Sequence, residues 1–347
     1  EGVIKVSAVH HAGALYKGPI AQVNQKDTQV EITETDTQVI YRSGSLRAVI
    51  DKAPSGYRLA FYEGEKFLTE SSFRNLAHMY NNKTEKAYML EQLSIDVDEY
   101  IYGLGERFTP FVKNGQVVEM WNEDGGTASQ LSYKSVPFYM TNRGYGVFVD
   151  HTDNVSFEVA SEKVEYVGFS VPGEEIRYIF FYGPEPKKIL KSYTALLGRP
   201  ALPWSFGLWL STSFTTNYDE ATVTSFIDGM LKRDIPLSVF HFDCFWMKEF
   251  HWCDFEWDDR VFPNVREMLA RYKARGLKIC VWINPYIAQN TALFKEGAKK
   301  GYLLKRSDGM GVWQTDLWQA GMGVVDFTNK EACAWYSAQL RRLLDMG

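Results

Sequence analysis

The chain contains no stretch approaching the ~20 consecutive apolar residues of a membrane span, so a soluble protein with no membrane partner is expected. It has no dense basic run, and its formal net charge is −5. That balance excludes the electrostatic footprint of a nucleic-acid-binding protein. Cysteine is scarce: Cys244, Cys253, Cys280 and Cys333 are the four residues, all in the second half and none in a CxxC pair. A disulfide scaffold is thereby excluded, and reduced thiols in a cytoplasm fit best. A dinucleotide fingerprint is missing too. Residues Tyr102-Gly103-Leu104-Gly105-Glu106-Arg107-Phe108 contain GxG without a third glycine or a following helix, which reads as a strained turn between strands. No cofactor is expected.

Aromatic residues are abundant. Ten Trp, 20 Tyr and 22 Phe make up 15% of the sequence, enough to supply either a large β-rich core or flat faces for sugar rings. At 347 residues the chain exceeds the ~250–300 at which single cores stop growing, so two domains are expected.

Residues 1–182 consist of short β-prone segments broken by Gly, Asn and Asp at turn spacing, which predicts an antiparallel β-sandwich. VEITETDTQVIYRS, LRAVIDKA, GYRLAFYEG, SIDVDEYIYGLG, VPFYMTNRGYGVFVDH, VSFEVAS and RYIFFYG carry the pattern. Residues 183–203 read as a linker helix with Ile189, Leu190, Tyr193 and Leu197 on one face, Gly198 as C-cap, and Pro200 and Pro203 beyond it.

From residue 204 to 347 strands and helices alternate, the signature of a parallel α/β structure. SFGLWLST, LSVFHFDC and KICVWINP are the strands. Residues 219–233 place Val223, Phe226, Ile227, Met230 and Leu231 at helical spacing, with Pro236 as the stop. A second helix starts at Asn264 with Val265, Met268, Leu269 and Tyr272 inward. An excursion over 286–325 precedes a capping-box signature, Thr328-Asn329-Lys330-Glu331, and a helix with Tyr336, Leu340, Leu343 and Leu344 on one face. A closed (β/α)₈ barrel needs ~250 residues, and only three strand–helix units are present, so this region is expected to be the first part of such a barrel.

In such barrels the reactive groups stand at strand C-termini. LSVFHFDCFW (237–246) ends in Asp243, Cys244, Phe245 and Trp246, and KICVWINP (278–285) ends in Trp282 and Asn284. Asp243 can hold sugar hydroxyls through charge-assisted acceptance, or it can cap its loop or pair with a lysine. Trp282 is a stacking platform or a core residue whose indole N–H needs a partner. The aromatic loop Trp246, Phe250, Trp252, Phe255 and Trp257 mixes packing with cleft lining. His241, Cys244, His251 and Cys253 invite a zinc reading, but His241 and Cys244 point to opposite faces of a strand and the His-x-Cys spacing is atypical, so no metal is expected. Asn122-Glu123-Asp124-Gly125-Gly126 is either an exposed turn or a loop that reaches a barrel mouth.

GLGERF (103–108), WNEDGGT (121–127), TSFTTNYDE (212–220), FHFDCFWM (240–247), LKICVWINPYI (277–287) and VDFTN (325–329) resemble, in collinear order over essentially the whole chain, family-31 glycoside hydrolases and above all their bacterial α-xylosidase branch. The resemblance implies a galactose-mutarotase-like β-sandwich before a (β/α)₈ barrel. It implies a retaining, exo-acting hydrolase that releases α-linked xylose from xylosides or xyloglucan-type oligosaccharides by double displacement between two aspartates. By the same resemblance, Asp243 holds ring hydroxyls and Trp282 walls the glycone subsite. Phe214, Cys244 and Phe245 crowd the place of the glucose CH₂OH, Asp124 enters from the sandwich, and Trp252 and Trp318 flank the cleft.

Two departures stand out. ALPWSFG (201–207) is short against the family's linker, and the KxDFGE-like nucleophile motif is expected beyond Gly347 with the acid/base further on. No catalytic residue is therefore expected within these 347 residues, and the chain alone is expected to be inactive. A small carbohydrate substrate, a homo-oligomer and a bacterial cytoplasm are the implied partner, assembly and location. An α-glucosidase of the same family and a non-catalytic carbohydrate-binding fragment are the alternatives.

Overall fold

Alternating β-branched and aromatic residues satisfy a pleated, half-buried surface, and in the computed structural model the first half of the chain is built from strands. The structure describes residues 1–13, 30–52, 56–123, 130–202, 207–213, 215–316 and 319–347. These residues form two compact units, Glu1–Pro200 and Ala201–Gly347.

In chain order the strands of the first unit are β1 (Val3–Val9), β2 (Glu31–Glu34), β3 (Gln38–Ser43), β4 (Leu46–Asp51), β5 (Leu59–Glu63), β6 (Lys66–Ser71), β7 (Ala77–Asn81), β8 (Lys86–Ser94), β9 (Ile101–Gly103), β10 (Gln116–Glu119), β11 (Phe138–Thr141), β12 (Tyr145–Val149), β13 (Ser156–Val159), β14 (Tyr166–Pro172) and β15 (Glu175–Tyr182). They pair into one five-stranded sheet of order β1-β15-β12-β11-β9, a second of order β10-β13-β14-β8-β7, and a five-stranded meander of order β2-β3-β4-β5-β6. All the pairings are antiparallel.

The first two sheets face each other through interdigitated aromatics, as expected of a sandwich. Phe157 of β13 meets Tyr139 of β11 edge-on, and Phe169 of β14 meets Tyr178 of β15 likewise. The meander joins the same core through Leu46, Ala48 and Phe61, and Phe61 stacks on Phe180 with ring centroids 4.0 Å apart. VIKVSAV, KAYMLEQLS and YVGFSVP, which lie outside the segments singled out from sequence, form β1, β8 and β14.

Helix α1 (Pro186–Leu197) starts on a proline, as a helix N-terminus tolerates, and ends at Gly198, whose N–H donates to the Thr194 carbonyl. It lies on the sandwich. Ile189 is buried and Tyr193 stacks on Phe138 at 4.1 Å, whereas Leu190, expected on the apolar face, is exposed.

The second unit runs β16 (Leu208–Ser211), α2 (Glu220–Leu231), β17 (Leu237–Phe242), α3 (Val265–Ala274), β18 (Lys278–Val281), β19 (Tyr286–Ala288), α4 (Ala292–Lys300), β20 (Met322–Val324) and α5 (Lys330–Leu344). Strands β16, β17 and β18 form a parallel sheet in that order, while β19 and β20 pair antiparallel. A sandwich followed by a parallel α/β unit is the expected fold class.

Local details differ from expectation. Helix α2 ends at Leu231, before Pro236, because the chain turns over through Asp234 at φ 54°, and Leu231 is left exposed. The 286–325 excursion is not a plain loop, since it contains β19, α4 and β20. At α5 the N-cap is Asn329, whose Oδ1 accepts from the Glu331 and Ala332 N–H groups. Thr328 cannot take that role because the Asp326 carboxylate accepts both its hydroxyl, at 2.6 Å, and its N–H, at 3.0 Å. Trp335 and Tyr336 are buried along α5, and Leu344 is exposed at its last turn. Among the described residues no helix is long and apolar enough to cross a membrane.

Candidate functional site

Strand β17 is buried through Val239, Phe240 and Phe242, which is what a central parallel strand demands. The strand ends at Phe242, and Asp243 leads into a single 3₁₀ turn, Cys244–Trp246. Asp243 begins that turn, its Oδ1 accepting from the Cys244 N–H at 2.8 Å. Its backbone is held on both sides. The Asp243 N–H donates to the buried Thr212 Oγ1 at 2.9 Å, and its carbonyl accepts the Tyr218 hydroxyl at 2.6 Å. Both partners come from the strand end after β16, which the parallel register of β16 on β17 brings alongside. Among the described residues no Lys or Arg pairs with Asp243, so the loop-capping role is realised and the lysine-pairing one is not.

The next strand end is tied to this one. The Trp282 N–H donates to the Phe242 carbonyl at 2.8 Å, which continues the β17–β18 ladder. The fully buried Trp246 donates its indole N–H to the Trp282 carbonyl at 2.8 Å. Trp282 itself is half-buried and meets Tyr286 edge-on. Asn284 donates its N–H to Cys253 Sγ at 3.2 Å and accepts the Tyr336 hydroxyl at 2.9 Å.

Phe245 is half-buried and packs edge-on against Trp252, with centroids 5.1 Å apart. Trp252 is only 5% exposed, so what it contributes at this strand end is support for Phe245. Of the aromatic loop, Trp246 and Phe255 are also buried, and Phe250 stands out at 74% exposed. Left-handed backbone at Phe250, Cys253 and Phe255 (φ 61°, 62° and 63°) folds this loop back onto its own core.

The strand end is a dry environment. Burial, reinforced by the Asp243 carboxylate, pushes the Cys244 thiol up to about 12. Burial does the same to Cys253. Burial lowers the His241 pKa, with Asp243 opposing, and His241 Nδ1 lies 2.7 Å from Ser211 Oγ. The Tyr218 phenol is pushed well above its usual range by burial.

The structure thus brings Asp243, Cys244, Phe245, Trp252 and Trp282 together in the second unit. Phe214, Asp124 and Trp318 lie outside the described residues. Thr212 and Tyr218, which hold the Asp243 backbone, went unrecognised from sequence, although their placement just past an apolar strand was a usable signal.

In the first unit, Gly103, Leu104 and Gly105 all have positive φ (111°, 65° and 82°). A Cβ at Gly105 would collide with the Lys134 carbonyl oxygen. This turn aims Arg107, which donates to the Leu104 and Glu119 carbonyls at 3.1 and 3.0 Å and to Ser135 Oγ at 2.8 Å. Arg107 thereby clamps the two segments that flank residues 124–129, next to the exposed Trp121.

Residues 200–347 match the model of the glycosyl hydrolases family 31 TIM-barrel domain. Residues 1–158 match that of the glycosyl hydrolase 31 N-terminal galactose mutarotase-like domain. The chain is 51% identical to an α-xylosidase of Emericella nidulans, over 100% of this chain and 47% of the relative. It is likewise 51% identical to an α-xylosidase of Lactiplantibacillus pentosus, over 100% of this chain and 45% of that protein. Among solved structures, a Flavobacterium johnsoniae family-31 dextranase superposes with TM-score 0.88 at 26% identity, covering 100% of this chain and 43% of the other. The chain therefore spans about half the length of the curated relatives it matches. With both of its domains matched by that family's models, the chain belongs to glycoside hydrolase family 31.

Proposed function

We propose that the whole protein is a retaining, exo-acting glycoside hydrolase that releases α-linked xylose from xylosides or xyloglucan-type oligosaccharides. The observation that carries this reading is the strand end after β17, where a carboxylate with no basic partner among the described residues sits beside a protonated thiol and a phenyl ring. Asp243 accepts hydrogen bonds from ring hydroxyls, and Trp282 offers its face to the sugar C–H groups. Cys244 and Phe245 fill the space that an exocyclic CH₂OH would need. Trp252 holds Phe245 in place. Two relatives at 51% identity, both α-xylosidases, support the substrate.

No catalytic carboxylate is assigned to this chain. Asp254 is half-buried beside His251, Asp258 is bridged by Arg260, and Asp326 caps the turn before α5. Each has a structural task. The reading further takes the protein to be a cytoplasmic, bacterial homo-oligomer with no cofactor, no metal at the sugar site, and no membrane or nucleic-acid partner. Four cysteines free of disulfides support a reducing compartment.

The test is hydrolysis of an aryl α-xyloside and an aryl α-glucoside by the whole protein. Xylose release with retention of configuration is the expected result. Preferential glucose release would make the protein an α-glucosidase, and sugar binding without turnover would make it a carbohydrate-binding protein.

A further inference from the structure

Three of the six histidines, His10, His11 and His78, meet at one edge of the sandwich. Strand β1 is the edge of one sheet and β7 the edge of the other, and β14 and β15 run from the second sheet into the first through a turn containing Glu174. The β1–β15 ladder continues one step past both strands, with the His10 N–H donating to the Glu174 carbonyl at 2.8 Å. The backbone therefore fixes His10 opposite Glu174.

We propose that His10, His11 and Glu174 bind a divalent first-row transition ion, with zinc the best match, at this edge. His11 Nε2 lies 3.1 Å from Glu174 Oε2, and His10 Nδ1 lies 3.7 Å from Oε1. One ligand atom from each of the three residues can be chosen so that all lie within 4.8 Å of one another. Ligand atoms ~2.0–2.1 Å from a tetrahedral ion stand about 3.4 Å apart, which the two His–Glu separations approach. Two imidazoles and a carboxylate suit zinc and its neighbours rather than calcium or magnesium, which take oxygen ligands. All three residues are partly exposed, which leaves an entry path and a fourth position for water.

His78 is a positioning residue. Its ring stacks on His10 with centroids 3.6 Å apart and planes within 4°. Its Nε2 is buried without a hydrogen-bond partner among the described residues and stands 3.8 Å from Glu174 Oε1. The ion would fasten the end of β1 to the β14–β15 turn and so stabilise the folded chain.

The test uses the full 347-residue chain, stripped with a chelator and titrated with Zn²⁺ by calorimetry, with Co²⁺ as a spectroscopic probe. Saturable one-to-one binding, tetrahedral cobalt bands without thiolate charge transfer, and a zinc-dependent rise in melting temperature are expected. His11→Ala and Glu174→Gln should each weaken binding at least ten-fold and remove the rise, and His78→Ala should weaken it about ten-fold. The affected side chains are partly exposed, so circular dichroism of the variants should match that of the parent. Absence of stoichiometric binding, binding unchanged in both His11→Ala and Glu174→Gln, or binding lost instead in Cys253→Ser would each overturn the assignment.

Discussion

Trp246 donates its indole N–H to the backbone carbonyl of Trp282 at 2.8 Å, so the residue buried after β17 anchors the one presented after β18. Replacing Trp246 with phenylalanine removes this donor and leaves a carbonyl unsatisfied beside a smaller ring. A loss of ~1–3 kcal/mol is expected for the hydrogen bond alone. Urea denaturation monitored by far-UV circular dichroism should show a lower midpoint, and an unchanged midpoint would mean that the bond contributes nothing.

Asp243→Asn keeps an oxygen for the Cys244 N–H and discards the charge. If Asp243 holds ring hydroxyls, one charge-assisted hydrogen bond of ~1.5–3 kcal/mol is weakened, and kcat/KM of the whole protein on an aryl α-xyloside should fall ~10–150-fold. Wild-type kcat/KM in this variant would remove Asp243 from the sugar contact.

Gly105 and Gly115 share nearly the same left-handed backbone, φ 82° and 83°, but differ in surroundings. A Cβ at Gly115 meets nothing within 4 Å, whereas one at Gly105 meets the Lys134 carbonyl oxygen. Gly115→Ala should cost about 1 kcal/mol from backbone strain alone, and Gly105→Ala should cost distinctly more. Equal melting temperatures for the two variants would contradict the crowding argument.

Glu91 is fully buried within the sandwich and accepts from Ser71, Tyr178 and the Gln92 N–H. Burial raises its pKa from 4.5 to about 7, against the lowering effect of those hydrogen bonds. The folded state therefore holds this proton more tightly than the unfolded chain. The resulting stabilisation is full below pH 4.5 and is lost as pH rises to about 7, a change of about 3 kcal/mol. Glu91→Gln should flatten that part of the stability–pH profile. A variant that retains the full slope between pH 4.5 and 7 would assign it to another group.

The sandwich was legible where β-branched and aromatic residues alternate, as in residues 136–151 and 177–183. It was not legible at β8, where KAYMLEQLS reads as Ala, Met, Leu and Glu helix formers and becomes a strand because β14 and β7 pair on either side of it. Tertiary pairing outweighs local preference there. At the site, the Asp243 cluster was legible because a buried parallel strand must end where its apolar run ends. The Thr212 and Tyr218 contacts were not, since they arise from the register of β16 on β17. Nor was the burial of Trp252, which follows from left-handed backbone at Phe250, Cys253 and Phe255 that no local propensity announces. The histidine edge was equally hidden, because the residues that meet there are far apart in the chain.

The pairing of β1 with β15 also sets a timetable for synthesis. The hydroxyl of Ser7 on β1 donates to Glu175 at 2.9 Å, across a separation of 168 residues. At roughly 5–20 residues per second, the amino-terminal strand leaves the ribosome about ten to thirty seconds before its neighbour exists. Throughout that interval VIKVSAV is an orphan edge with its hydrogen-bonding groups open. Closure of the first sheet therefore waits until residues 175–182 have been made.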